Sequence, residues 1–148
     1  MFFSYRLSPQ PTIMFCPIVL LGTMIFIIKE NDKDQNGKWV FPKSQIHTGE
    51  TFQDCSQRIL NDMFEIDVSN TEFVSISNEI SSNKKNHIIY IYAYCNYIDG
   101  TIQNHVFSQY DEWKWTEISN LENENVGICI KNFLSNKKNN TNLLLNFI

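Results

Sequence analysis

Between Leu7 and Ile28 the chain carries no charged residue, and this run decides which folds are open to it. As a single helix, such a run is long enough to cross a bilayer or to form the core of a signal peptide. Pro9, Pro11 and Pro17 interrupt it, however, and Gly22-Thr23 divides it. Proline removes a backbone donor and clashes with the preceding turn, so a helix is a poor solution here. The two halves, Ile13 to Leu21 and Met24 to Ile28, have strand lengths and are rich in Ile, Val and Phe. The expectation is two buried strands around a glycine turn, with no membrane span. A cleaved presequence stays open as an alternative for Met1 to Arg6, which lacks acidic residues and contains Arg6.

At 148 residues the chain fits one domain with a real core. Hydrophobic residues make up 43% and charged residues 19%, which excludes an acidic disordered polymer or a basic histone-like tail. A net charge of −4 argues against broad non-specific nucleic-acid binding, which needs many cations to neutralise phosphates, so any RNA contact is expected to be limited. The chain holds 19 Ile and 18 Asn but one Ala, Ala93, and two Arg, Arg6 and Arg58. That skew reads as an AT-rich coding sequence, so the rare residues carry more weight than any single Ile or Asn. The cysteines Cys16, Cys55, Cys95 and Cys129 form no C-x-x-C pair, which speaks against zinc, and they are expected reduced and buried. The sequon Asn139-Asn140-Thr141 lies in an Asn-rich tail and reads as chance.

Along the chain, Lys33 to Gly37 reads as a polar turn, Trp39-Val40-Phe41 as a short strand stopped by Pro42, and Ser44 to Thr48 as a loop. From Thr51 to Phe64 the apolar positions Phe52, Cys55, Ile59, Leu60, Met63 and Phe64 recur at helical spacing. Val68 to Ile80 reads as extended and Ser81 to Asn86 as a turn. His87 to Ile98, almost continuously Ile and Tyr, reads as a strand covered on both faces. Asp99-Gly100 suggests a hairpin onto a strand from Thr101 to Phe107, followed by a short strand at Trp113 to Trp115. Thr116 to Leu121 reads as a helical turn and Val126 to Leu134 as a terminal helix. The expected organisation is a domain over 1–135 and an Asn/Lys-rich tail over 136–148 with an apolar terminus. Strands before and after the long helix define an α+β sandwich. Phe52, Cys55, Leu60, Ile89, Tyr92 and Trp115 are expected to be largely buried.

The segment Trp39-Val40-Phe41-Pro42, then Ser44, Gly49-Glu50-Thr51 and Arg58, resembles the Nudix family. The family signature is G-x5-E-x7-R-E-U-x-E-E-x-G-U, with U aliphatic, usually preceded by W-x-F/L-P. Ser44 takes the first Gly position, Glu50 the first Glu and Arg58 the Arg, with both intervals kept. The resemblance runs from about Ile13 to Leu134 and implies a Nudix-type α/β/α sandwich with a mixed sheet. It also implies that Glu50 and Arg58 tie the loop to the helix.

Departures from the signature bear on chemistry. In the family, carboxylates after the Arg hold Mg²⁺, which bridges a diphosphate and activates water. Those positions fall here on Ile59, Asp62 and Met63. The spacing i, i+3, i+4 puts them on one helix face, where one carboxylate stands beside two apolar side chains. The terminal Gly of the signature is Glu65. The box remnants are thus Ser44, Gly49, Glu50, Arg58 and Asp62, the lost metal positions are Ile59 and Met63, and no metal is expected.

Two functions of different class follow. The pattern Phe26 to Glu30, Trp39-x-x-Pro42, Gly49-Glu50-Thr51 and Arg58-Ile59-Leu60 is similar to the Nudix-like protein family of the mitochondrial large ribosomal subunit. That resemblance implies a non-catalytic structural subunit with protein neighbours, ribosomal proteins among them, located in the mitochondrion. A cytoplasmic location is the alternative. The second reading is a Mg²⁺-dependent Nudix hydrolase of a nucleoside diphosphate derivative, of the nucleotide-sugar type, with a relaxed box. Asp62, His105 and Glu112 would then carry the metal and base roles, with Asp111 as another late-loop carboxylate. The assembly reading is favoured at this point.

Overall fold

A computed structural model of the chain describes residues 10–31 and 37–146. The possible presequence and most of the polar turn before Gly37 lie outside the described residues, as do Phe147 and Ile148 of the apolar terminus. The uncharged run forms two strands, β1 (Thr12–Leu21) and β2 (Met24–Glu30), joined at Gly22, whose φ of 60° suits a tight reversal. Among the described residues no helix is long and apolar enough to cross a membrane.

β1 pairs in parallel with β6 (His87–Asp99) from Thr12 opposite Ile88 to Leu20 opposite Asn96. On its other edge β1 meets β4 (Ser44–Gln45) at Met14 and Phe15, and β2 at Leu20 and Leu21. Pro17 falls in the gap between these two pairings, where a missing N–H costs no ladder bond. β5 (Asp67–Ile80) adds antiparallel to β6, β3 (Trp39–Val40) to β2, and β7 (Tyr110–Glu117) also to β2, giving a mixed seven-stranded sheet. One helix covers each face. α1 (Phe52–Phe64) buries Cys55 and Ile59 against Phe15 and Ala93, and Leu60 and Phe64 in the main core. α2 (Ile128–Asn146) buries Cys129, Ile130 and Phe133 against Phe41, Tyr90 and Tyr92. This is the α/β/α sandwich expected from the sequence, and β6 is covered on both faces as its composition suggested.

Several local expectations change. Phe52 opens α1 and keeps 37% of its surface exposed, although its ring lies 5.2 Å from that of Phe15. Ile89 and Trp115 are half-buried, whereas Cys55, Leu60 and Tyr92 are fully buried. The strand expected over Thr101 to Phe107 does not form. The segment from Thr101 instead lies along the end of α1, where Gln103 N–H donates to Phe64 O at 3.0 Å and His105 N–H to Met63 O at 2.9 Å. The last carbonyls of a helix lack internal partners, and satisfying them outweighs a hairpin ladder here. A 3₁₀ turn spans Ile118–Asn123. The terminal helix continues past Leu134 to Asn146, so the described part of the Asn/Lys-rich tail is helical. All four cysteines are free and buried.

Candidate functional site

The box loop is held at both ends by residues that its local sequence dictates. Thr51 caps α1: its hydroxyl accepts from Asp54 N–H at 3.1 Å, and Asp54 accepts from Thr51 N–H at 3.2 Å. Gly49, at φ 86°, makes the preceding turn. Glu50 and Arg58 then join loop to helix. Arg58 Nε donates to Glu50 Oε2 at 2.6 Å and Nη2 to Oε1 at 2.9 Å, while Nη2 also reaches Gln45 O at 2.8 Å. His47 N–H donates to Glu50 Oε1 at 2.7 Å. The Arg58 hydrogen bond holds the Glu50 carboxyl down at about 2, and Glu50 in turn raises Arg58. Both side chains are committed to each other and to the loop backbone.

Beside this clamp lies a cleft of 210 Å³, lined by Lys43, Ser44, Arg58, Ile59, Asp62, Met63, Val106, Gln109 and Tyr110. Of the metal positions named from the signature, Ile59 is 1% exposed and packs with Phe15 and Cys55. Met63 is half-buried against the core, and Asp62 is exposed. The helix face thus presents one carboxylate to the cleft. Among the described residues no group of three His, Cys, Asp or Glu side chains could hold a metal ion. Two divalent cations prefer several hard oxygen donors, so this donor set does not fit a two-metal site.

The other sequence-stated candidates fall elsewhere. His105 Nε2 lies 3.2 Å from Glu65 Oε2 at the end of α1, and both side chains are half exposed. Glu112 Oε2 lies 3.3 Å from Lys29 Nζ across the β2–β7 pair, and Asp111 is exposed beside it. Neither His105 nor Glu112 lines the cleft that Asp62 lines. Glu65, at the signature's Gly position, adopts the left-handed φ of 56° that such a Gly would favour. Its conformation turns the chain back so that Ile66 N–H reaches Leu60 O at 3.2 Å.

Sequence reasoning passed over Lys43, Tyr110 and Glu30. A second cavity of 450 Å³ adjoins the cleft, and Lys43 and Tyr110 line both. Glu30, Lys38, Glu79 and Tyr90 also face it, together with Gly127 to Cys129 at the start of α2. β3 sets that helix start in place: Trp39 N–H donates to Asn125 O at 2.9 Å and Gly127 N–H to Trp39 O at 2.8 Å. A Cβ on Gly127 would press on Val40 Cγ1 at 2.8 Å. Burial works against the Lys43 ammonium, yet its pKa lies above the ordinary value because Cys129, Tyr110, Cys16 and Glu30 face it. Burial pushes both thiols up, and the Glu30 carboxyl as well. The position of Lys43 was the available signal: it is the one charged residue between Lys38 and Glu50.

A mixed sheet between two helices, with a Glu–Arg clamp at a strand–loop–helix, defines a Nudix-type protein. The NUDIX domain model matches residues 14–136, and the chain belongs to that family. Among solved structures it is similar to a MutT protein from Methanosarcina mazei Go1, at 13% identity and TM-score 0.72, over 90% of this chain and 98% of that one. It is also similar to a MutT NUDIX hydrolase from Burkholderia pseudomallei, at 14% identity and TM-score 0.66, over 75% and 86%. A UDP-X diphosphatase matches at 12% identity and TM-score 0.55, over 76% of this chain and 53% of its own. At these identities the likeness speaks for the fold alone. A search of the curated proteins finds none that matches.

Proposed function

We propose that the chain is a Nudix-fold protein without two-metal hydrolase chemistry, acting as a structural subunit of a larger assembly. The observation that carries this is the face of α1, where Ile59 is packed into the core and Met63 leans on it, leaving Asp62 as the single carboxylate. Glu50 and Arg58 are explained by the loop clamp and need no substrate. The assembly in view is the mitochondrial large ribosomal subunit, with ribosomal proteins as neighbours. That choice rests on the sequence resemblance, and no comparison supports it.

A second reading is favoured by specific observations. The chain belongs to the NUDIX family, and two of the structures it is similar to are a NUDIX hydrolase and a UDP-X diphosphatase. On that ground the comparisons support a Mg²⁺-dependent hydrolase of a nucleoside diphosphate derivative better than a ribosomal role. Asp62 in the cleft would be its metal ligand. One screen separates the readings: nucleoside triphosphates, dinucleoside polyphosphates, nucleotide sugars and capped RNA, each with Mg²⁺ or Mn²⁺. The expected result is no turnover at an enzyme-like rate. Robust turnover that Asp62→Ala abolishes would establish the hydrolase in its place.

A further inference from the structure

We propose that the sheet face left open beside α1 is the contact surface of a homodimer, in which a second copy of this chain covers it. The proposal holds whether or not the Nudix box is active. α1 has 13 residues and packs over one end of its face, setting Cys55 and Ile59 on Phe15 and Ala93. The rest of that face carries large apolar side chains open to solvent: Ile13 on β1, and Phe73, Ile76 and Ile80 on β5.

Strand register puts these side chains on one surface. Ile13 lies opposite Ile89, Ile76 opposite Ile91, Phe73 opposite Ala93 and Ile80 opposite His87. Alternate residues of a strand share a face, and so do partners in register, which places all four on the Ala93 side of β6. In a regular strand Phe73 and Ile76 would point to opposite faces. The extra residue Val74, bulged between the pairings of Phe73 and Ser75, brings both to the same one. Phe52, whose ring meets Phe15, continues the patch onto the first turn of α1. The carboxylates of this part of β5 turn the other way: Glu72 lies opposite Tyr94 and Glu79 opposite Ile88, and Glu79 accepts the Tyr90 hydroxyl at 2.7 Å. The polar pair on the open face, Asn78 and His87, is bonded to itself at 3.0 Å.

Whatever covers this face must be apolar and uncharged. A second copy supplies such a surface, and no carboxylates of β5 meet across it despite the net charge of −4. The area also fits. Ile13, Phe52, Phe73, Ile76 and Ile80 keep 37–58% of their surface exposed, about 500 Å² per copy for side chains of roughly 150–250 Å². Monomers rarely leave more than a few hundred Å² of contiguous apolar surface open. Two such patches bury about 1,000 Å² before their rims are counted, which is the lower bound of a specific interface, so a dimer of micromolar affinity is expected. Pairing through the β5 edge is closed. Asn136 Nδ2 donates to Ile76 O at 3.0 Å and Asn132 Nδ2 to Asn78 O at 3.5 Å, so α2 takes carbonyls that an added strand would need. The second copy therefore meets the face. A two-fold axis running across the strands sets the two α1 helices at opposite ends of the shared patch.

Sedimentation velocity of the full-length chain over about 1–200 μM tests this, a range that brackets micromolar association. The expected result is a reversible monomer–dimer equilibrium. Ile76→Asp and Ile80→Asp each bury a lone carboxylate in the dimer and should weaken it by about tenfold or more. Both side chains are more than half exposed in the single chain, so either variant should fold. Ile98→Asp is the control: Ile98 is as exposed but lies near the far end of β6, and its change should move the equilibrium by less than about twofold. A monomer at every concentration, or a dimer that withstands both Ile76→Asp and Ile80→Asp, would overturn the proposal. So would a dimer that Ile98→Asp dissociates equally. A chain that is monomeric when pure, yet holds a different protein in extracts until Ile76→Asp releases it, would give the face to that neighbour and overturn self-pairing.

Discussion

Glu50 and Arg58 form the best-defined pair in the molecule, and their chemistry makes a pH prediction. The Glu50 carboxyl is lowered from 4.5 to about 2 by the Arg58 hydrogen bond, so folding holds this group deprotonated. A depressed folded pKa contributes stability that is fully present above the unfolded value and lost as pH falls through the folded one. Comparing the chain with Glu50→Gln by urea unfolding should show a stability gap that is constant above about pH 4.5 and narrows toward pH 2. A gap independent of pH across that window would remove the clamp from the account. Glu65 carries a second prediction. A non-glycine residue in the left-handed region costs roughly 1–2 kcal/mol, and glycine gives back part of that through its own chain entropy. Glu65→Gly should therefore stabilise by about 0.5–1 kcal/mol, less whatever the exposed contact to His105 contributes. Destabilisation in urea would show that contact to be the larger effect. The Glu50 and Arg58 positions were legible because spacing to a known signature survives any change between them. Lys43 was not, since one lysine in a loop looks the same in sequence whether it points to water or inward.

At the scale of elements, α1 is fastened to the sheet by more than its apolar stripe. Gln57 accepts from Val68 N–H at 3.1 Å and donates to Ile66 O at 3.1 Å; Gln53 accepts from Thr71 N–H at 3.0 Å. These contacts replace ladder bonds where β5 slips register between Asp67 and Glu72. Gly100 sets the other approach. It lies at φ 121°, and a Cβ there would collide with the Glu65 carbonyl oxygen. Gly100→Ala should cost about 2 kcal/mol or more through backbone strain at that contact. A denaturation midpoint unchanged from the parent would show the close approach to be soft. This glycine also explains why the hairpin reading after Asp99 failed. Asp-Gly is a sound turn signal, but the carbonyls of Met63 and Phe64 compete for the following N–H groups, and sequence patterns do not reveal a competitor nearly forty residues away. The strands around Gly22 and the helix after Thr51 were legible because interrupted hydrophobic runs and a 3.6-residue period are local signals.

For the whole molecule, the expected layers hold because each face of β6 needs a cover. Tyr90 and Tyr92 meet α2, while Ala93 meets α1. Among the described residues the core anchors of α2 are Cys129, Ile130 and Phe133, all within its first two turns. Beyond them, Asn136 Nδ2 donates to Ile76 O at 3.0 Å. Removing residues 136–148 should accordingly lower the melting temperature by only about 2–4 °C, the shift roughly 1 kcal/mol produces in a chain of this size. On the assembly reading it should also reduce co-sedimentation with large-subunit ribosomal proteins. A collapse in melting temperature would place the tail in the core. Co-sedimentation unaffected by the truncation would leave the tail without a docking role. The length of α2 was not legible, because eighteen scattered asparagines mask where a helix of low intrinsic propensity stops.

The parallel pairing of β1 with β6 also has a consequence for biosynthesis. Thr12 finds its partner at Ile88, 76 positions later in the chain. At a synthesis rate of about 5–20 residues per second, β1 leaves the ribosome roughly 4–15 s before that partner is made. During this interval Phe15, Cys16, Ile18 and Val19, which the native state buries completely, have β2, β4 and α1 beside them but lack the strand that pairs along nearly all of β1. Nascent chains should therefore need a holding chaperone until β6 emerges, and a circular permutant starting in the Ser81–Asn86 turn should shorten that exposure, because β6 would then be made before β1.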